Sequence, residues 1–292
     1  MIPKEILQKV RRIELRTRSV VESVLSGEYQ SVFKGRGMEF SEVRPYNPGD
    51  DIRAIDWNVT ARMGGPYIKK YVEERELTVM LVVDASASGA FGSVKQFKDE
   101  IAVELCALLA FSAIKNNDRV GLIIFTSEVE KFIPPKKGKN HVLRVIRELL
   151  YFKPEQKGTN IAEAMGFLNM VQRKKAVVFC VSDFMASNFE ASLRVAAQRH
   201  DFIAISITDP RERTLPDVGF IDLEDPETGR TMLVNTHDKN IREKYGMEFE
   251  KRAGKLRSFF RTHGIDEIPI DTESDYVESL VKFFKKREKM YR

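Results

Sequence analysis

Val82-Val83-Asp84-Ala85-Ser86-Ala87-Ser88 is the stretch on which the reading of this chain turns. An apolar run that starts at Leu77 passes without a break into an Asp-x-Ser-x-Ser loop, and a helical pattern follows. Ligand sites in open α/β sheets lie beyond the carboxyl ends of the strands. A carboxylate and two hydroxyls placed there can meet a hard cation. Alone, short Asp/Ser strings are frequent in turns and helix caps, so the elements around the loop must decide.

Working outward, short apolar runs alternate with helical periodicity, which predicts a βαβ succession and a doubly wound, mostly parallel α/β sheet of Rossmann-like type. Strands are expected at 77–84, 119–126, 129–133, 175–182 and 202–208, each rich in Val, Ile and Phe. Helices are expected at 94–117, 140–152, 161–173 and 188–200, with Asn160 and Asn188 as capping candidates. After Asp209-Pro210 a hairpin is expected from Val218–Leu223 and Thr231–Val234, turning through Pro226 and Gly229. A charged helix at 238–263, a short strand at 266–271 and a basic helix at 274–289 complete the chain.

Two further pieces stand at corresponding places. Gly158-Thr159-Asn160 precedes a predicted helix, and Ser182-Asp183 ends the fourth predicted strand. Asp84, Ser86, Ser88, Thr159 and Asp183 can therefore converge as oxygen ligands. Mg²⁺ prefers such ligands and retains waters, so it is the expected ion, with Mn²⁺ as the alternative, and one coordination position stays open.

Composition sets the outer bounds. Of 292 residues, 42% are hydrophobic and 31% charged, which suits a globular chain and argues against disorder or a disulfide scaffold. No apolar stretch approaches the roughly 18–20 residues of a membrane span, and no signal-peptide pattern is read at the start, so a cytoplasmic protein without an integral membrane segment is expected. Cys106 and Cys180 have apolar neighbours and read as buried thiols. The net charge of +5 favours contact with acidic partners or anionic lipid, but the basic residues are spread, and the run Lys285-Lys286-Arg287 reads first as a solvated helix face.

The set Asp84, Ser86, Ser88, Thr159 and Asp183 resembles the metal-ion-dependent adhesion site of von Willebrand factor A domains. In that family the open Mg²⁺ position accepts a carboxylate of a partner, so the resemblance implies binding of a protein that presents Asp or Glu. A second resemblance lies in Arg44-Pro45-Tyr46-Asn47-Pro48-Gly49-Asp50-Asp51-Ile52-Arg53-Ala54-Ile55-Asp56-Trp57, which is similar to the signature of the bacterial "domain of unknown function 58" family. Asp209-Pro210-Arg211-Glu212 with Leu215-Pro216 also looks like that family's pattern. This resemblance implies a von Willebrand factor A-like domain after the signature and association with MoxR-type AAA+ ATPases.

The expected organisation is an N-terminal helix and signature arm at 1–76, a core at 77–210, and a hairpin with C-terminal helices at 211–292 completing the same domain. Asn47-Pro48-Gly49-Asp50 reads as a turn, Arg44, Arg53 and Arg62 as ion-pair donors to Asp50, Asp51 and Asp56, and Trp57 as a buried anchor. The arm then either fastens itself to the α/β domain or offers a recognition surface. Ile2, Ile6, Val10, Ile13, Val20, Val21 and Val24 fall mostly on one helical face, which reads as docking on the protein's own core.

An enzyme is not the expectation. Phosphate-binding loops, nucleophile elbows and zinc helices are missing from the sequence, and His141, His200, His237 and His263 read as scattered surface residues. The alternatives are a Mg²⁺-dependent hydrolase, a phosphatase or nuclease, built on Asp84 and Asp183, and a basic protein binding a membrane surface or nucleic acid, though no nucleic acid is expected.

Overall fold

The computed structural model describes residues 13, 29, 39–72, 76–90, 97–224 and 229–291. The expected basic helix up to Ser26 lies outside them, apart from Ile13, which is partly buried against the core. Tyr29 is fully buried, and its hydroxyl donates to Asp118 at 3.2 Å.

The signature arm opens with β1 (Glu39–Pro45) and closes with β2 (Tyr67–Val72), paired antiparallel. Arg44 donates two hydrogen bonds to Asp50, at 2.7 and 2.9 Å, and the Asn47 amide adds a third. The hydrogen bonds from Arg44 and Asn47 hold the Asp50 carboxyl below its ordinary range. Asp51 caps a 3-10 turn at Ile52–Ala54, and Asp56 caps α1 (Trp57–Met63) through the amides of Asn58 and Val59. That cap sets Trp57 at the first helical position, where it is 68% exposed, so it is not the buried anchor expected; Ile68 of β2 is buried in its stead. Ile52 and Met63 of the same arm are exposed as well.

A six-stranded sheet carries the rest. Its first five strands along the chain are β3 (Thr78–Asp84), β4 (Arg119–Phe125), β5 (Val129–Lys136), β6 (Val177–Ser182) and β7 (Asp201–Thr208). A separate hairpin, β8 (Phe220–Glu224) with β9 (Thr231–Asn235), precedes the sixth, β10 (Asp266–Asp271). The spatial order is β10-β7-β6-β3-β4-β5, all parallel except the edge strand β5, which runs antiparallel to β4. β5 continues through Pro134 and Pro135, beyond the expected end at 133; an edge strand tolerates prolines because their missing N–H faces no partner.

β3 is central and buried on both faces, hence its unbroken apolar run. Val79, Leu81 and Val83 point to the layer of α2 (Lys98–Lys115) and α3 (Lys139–Leu150). Met80 and Val82 point to that of α4 (Ile161–Val171) and α5 (Glu190–Arg199). Full burial of Met80 and Leu81 contributes roughly 1.5–3 kcal/mol each. α6 (Pro210–Arg213) follows β7 as one capped turn. Phe260 of α7 (Lys239–Thr262) joins the α4–α5 layer, and Leu280 and Phe284 of α8 (Tyr276–Tyr291) join the α2–α3 layer.

Asn160 caps α4 as expected, accepting from the Glu163 amide. Asn188 does not cap α5: it adopts φ 62°, a left-handed conformation Asn tolerates, and Phe189 precedes the helix. His200 is buried, against expectation, because its Nδ1 accepts the Ala176 amide where β6 begins. Arg287 also turns inward, 3% exposed, to pair with Asp201 and Asp266 while Lys285 and Lys286 stay in solvent. Both cysteines are buried free thiols. Among the described residues, no helix is long and apolar enough to cross a membrane.

Candidate metal centre

Counted in chain order from β3 and read from the β5 edge, the six strands lie in the order 3-2-1-4-5-6, and the direction of winding reverses between β3 and β6. That reversal is where open α/β sheets bind ligands, outside the carboxyl ends of the two strands. Asp84 ends β3, and Asp183 follows the last residue of β6. The topology therefore brings the two acids, far apart in sequence, to one place.

Both oxygens of Asp84 are oriented by neutral donors: Oδ1 accepts the Ser86 amide at 3.0 Å and Oδ2 the Ser182 hydroxyl at 2.7 Å. Burial, and then the negative charge of Asp183, push its pKa up to about 6 against the pull of these hydrogen bonds. Asp84 is thus ionised at neutral pH, at a cost. Ser86 is buried, and its hydroxyl lies 3.0 Å from that of Ser88. Asp183 Oδ1 accepts the Met185 amide at 3.1 Å. The intervening Phe184 takes a left-handed φ of 54°, a strained choice for an aromatic residue, held by burial against Phe189 and Phe260.

Thr159 sits half-buried in a segment pinned on both sides. The Ala87 amide donates to Lys157 O at 3.1 Å, and the Asn160 amide to Thr126 O at 2.7 Å. Glu130 accepts the amides of Glu155 and Gln156, fixing the approach. The structure so sets the Thr159 segment against the loop that carries Ser86 and Ser88.

One residue was not foreseen. Lys98, at the first turn of α2, is 3% exposed and donates to Asp183 Oδ2 at 3.1 Å and to Glu212 of α6. Burial opposes its charge, but Asp183 and Glu212 outweigh that and raise its pKa. Glu212 is itself shifted upward, by burial first, with Lys98 opposing. A lysine at a helix N-terminus runs against the helix dipole, and that mismatch is the signal in the sequence that marks it.

The donor set fits a hard divalent ion. Among the described residues no three His, Cys, Asp or Glu side chains converge as a metal cluster, so two carboxylates and three hydroxyls would have to serve. Oxygen-only donors of this kind suit Mg²⁺. Among the described residues, the ammonium of Lys98 is the cation that hydrogen-bonds to the acids here directly, through Asp183 and Glu212, and the guanidinium of Arg252 lies near, donating to Met185 Sδ at 3.4 Å.

The strand order, the antiparallel edge strand and an Asp-x-Ser-x-Ser loop at the switch point define a von Willebrand factor A-like α/β protein. The chain belongs to the DUF58 family, "Protein of unknown function DUF58", which matches residues 42–254. It is 30% identical over 283 residues to Rv1480 of Mycobacterium tuberculosis, spanning 96% of this chain and 89% of that protein. It is also 30% identical over 109 residues to YeaD of Bacillus subtilis, 37% of this chain and 25% of YeaD. Solved structures similar to it include BatB from Bacteroides thetaiotaomicron, at 16% identity and TM-score 0.47 over 73% of this chain and 99% of that one. The VWA domain of SpRpn10 is similar at 9% identity and TM-score 0.40, over 71% and 94%.

Proposed function

We propose that this chain is a protein-interaction module that binds an aspartate or glutamate of a partner protein through Mg²⁺, or Mn²⁺, held by Asp84, Ser86, Ser88, Thr159 and Asp183. One observation supports this above the rest: two buried carboxylates meet at the switch point, close enough for Asp183 to raise the pKa of Asp84. A bound divalent ion supplies the positive charge that attracts an outside carboxylate. The chain's own residues do the positioning. Ser182 and the Ser86 amide aim Asp84, the Met185 amide aims Asp183, and the Lys157 and Thr126 contacts hold the Thr159 segment in place.

Phe97 and Met185, neighbours in sequence of Lys98 and Asp183, are 50% and 40% exposed. An aromatic ring and a flexible thioether beside a polar centre are the side chains that protein interfaces favour. Hydroxyl-rich ligation favours capture of an outside carboxylate over metal-assisted hydrolysis, which calls for a general base beside the ion. MoxR-type AAA+ ATPases are the partner class implied by the family resemblance, and an acidic segment of such an ATPase or of its client is the proposed occupant.

The test is calorimetric titration of Mg²⁺ and Mn²⁺ into the wild type and Asp84→Ala, both checked for folding, followed by an acidic peptide. Binding by the wild type alone, with peptide affinity that depends on the ion, supports the proposal. Absence of ion binding in both proteins, with the peptide present, refutes it.

A further inference from the structure

Both oxygens of Asp183 are engaged, one by the Met185 amide and the other by the Lys98 ammonium. Asp84 meets the neutral donors of Ser86 and Ser182. The positive charge in direct contact with these acids is therefore that of Lys98, on a four-carbon stem, and it leans on one of the two acids that a divalent ion would use. Its other acceptor, Glu212, is held firmly. Glu212 Oε2 accepts the Asp209 amide at 3.0 Å in a capping box. Asp209, fully buried, accepts the Arg211 amide at 2.9 Å and the Thr272 hydroxyl at 2.8 Å. Lys98 thus bridges two carboxylates, and each of these has its other oxygen held by a backbone amide, Asp183 by Met185 and Glu212 by Asp209.

We propose that Lys98 is an internal counter-cation of the site, which a divalent ion must displace from Asp183, leaving it paired with Glu212 alone, so that Lys98 and Glu212 together set the affinity for the ion and for the partner. Two like charges cannot share one carboxylate oxygen closely without a large repulsion in a buried setting. Glu212 offers the displaced ammonium a fixed second acceptor, so Lys98 does not have to be left buried and unpaired. The proposal rests on the metal-binding reading above, and the experiment separates the two.

Mn²⁺ and Mg²⁺ binding is measured by electron paramagnetic resonance and calorimetry on the full chain as wild type, Lys98→Met, Glu212→Gln, the double variant and Asp183→Asn. Lys98→Met is expected to bind at least about tenfold more tightly than wild type, the factor that about 1.4 kcal/mol of relieved repulsion gives. Metal-free Lys98→Met is expected to melt below metal-free wild type, and Mg²⁺ to raise its Tm more than it raises that of the wild type. Glu212→Gln is expected to weaken binding, and to lose most of that effect in the Lys98→Met background. Equal or weaker binding by Lys98→Met, with Asp183→Asn abolishing binding, overturns the counter-cation and leaves the metal reading standing. No binding by either wild type or Lys98→Met overturns both. Should Lys98→Met fail to fold, Lys98→Gln and the single Glu212→Gln variant decide the same question.

Discussion

Replacing Asp84 by Asn is expected to stabilise the metal-free protein while abolishing its proposed function. Burial and Asp183 raise the Asp84 pKa from its ordinary value of 3.8 to about 6. At about 1.4 kcal/mol for each tenfold change in proton affinity, keeping Asp84 ionised in the native state costs about 3 kcal/mol at neutral pH. Asn retains the oxygen that accepts the Ser86 amide, but its nitrogen cannot accept the Ser182 hydroxyl, a loss of about 1 kcal/mol. The net gain is about 2 kcal/mol, or about 4 °C in Tm for a chain of this size. The native state holds the Asp84 proton to a higher pH than the unfolded state does, so wild-type stability falls as pH rises from about 4 to about 6 and the cost is complete above that. Denaturant unfolding of both proteins in EDTA, at pH 4 and pH 8, measures the difference. A variant no more stable than wild type at pH 8, or an offset of the same size at both pH values, refutes the reasoning.

Other substitutions probe the frame around the centre. A Cβ added at Gly121 would lie 2.6 Å from Met80 Sδ and 3.2 Å from Ile133 O, so Gly121→Ala is expected to destabilise the sheet by about 1–3 kcal/mol in urea unfolding. Trp57→Ala should change stability by less than about 0.5 kcal/mol because the ring is exposed; a loss of several kcal/mol would restore the anchor reading of the signature. Arg287→Met removes the partner of Asp201 and Asp266, which keep some contact with solvent, and is expected to cost about 1–2 kcal/mol. Burial, and then the charges of Arg199 and Lys175, lower the His200 pKa, so its contribution is complete above about pH 6.5 and is lost as the pH falls below that. His200→Gln should show a shallower loss between pH 6.5 and 5, read by the same denaturant titration.

Much of this architecture was legible along the chain because periodicity records which faces are buried. The apolar run at 77–84 reads as a strand of a parallel sheet, which the structure buries on both faces, and the Asp-x-Ser-x-Ser loop after it marked the end where a ligand would be met. Trp57 misled because a large ring suggests burial, whereas the Asp56 cap committed it to the outer face of a short helix. His200 misled in the other direction. Its place at a helix end suggested solvent, but the amide opening β6 needed an acceptor there.

Local pattern determined the strands and the helices that cover them, because each of those follows from neighbours a few residues away, and it marked Asp84 and Asp183 at the ends of two strands. The tertiary structure alone decided how charge is distributed there. Lys98 meets acceptors 85 and 114 positions distant, and such pairings depend on how the sheet winds and where α6 turns after β7. The reason is physical: burial of apolar faces repeats with a short period that the sequence displays, whereas a buried ion pair is a single contact between distant segments and leaves no period to read.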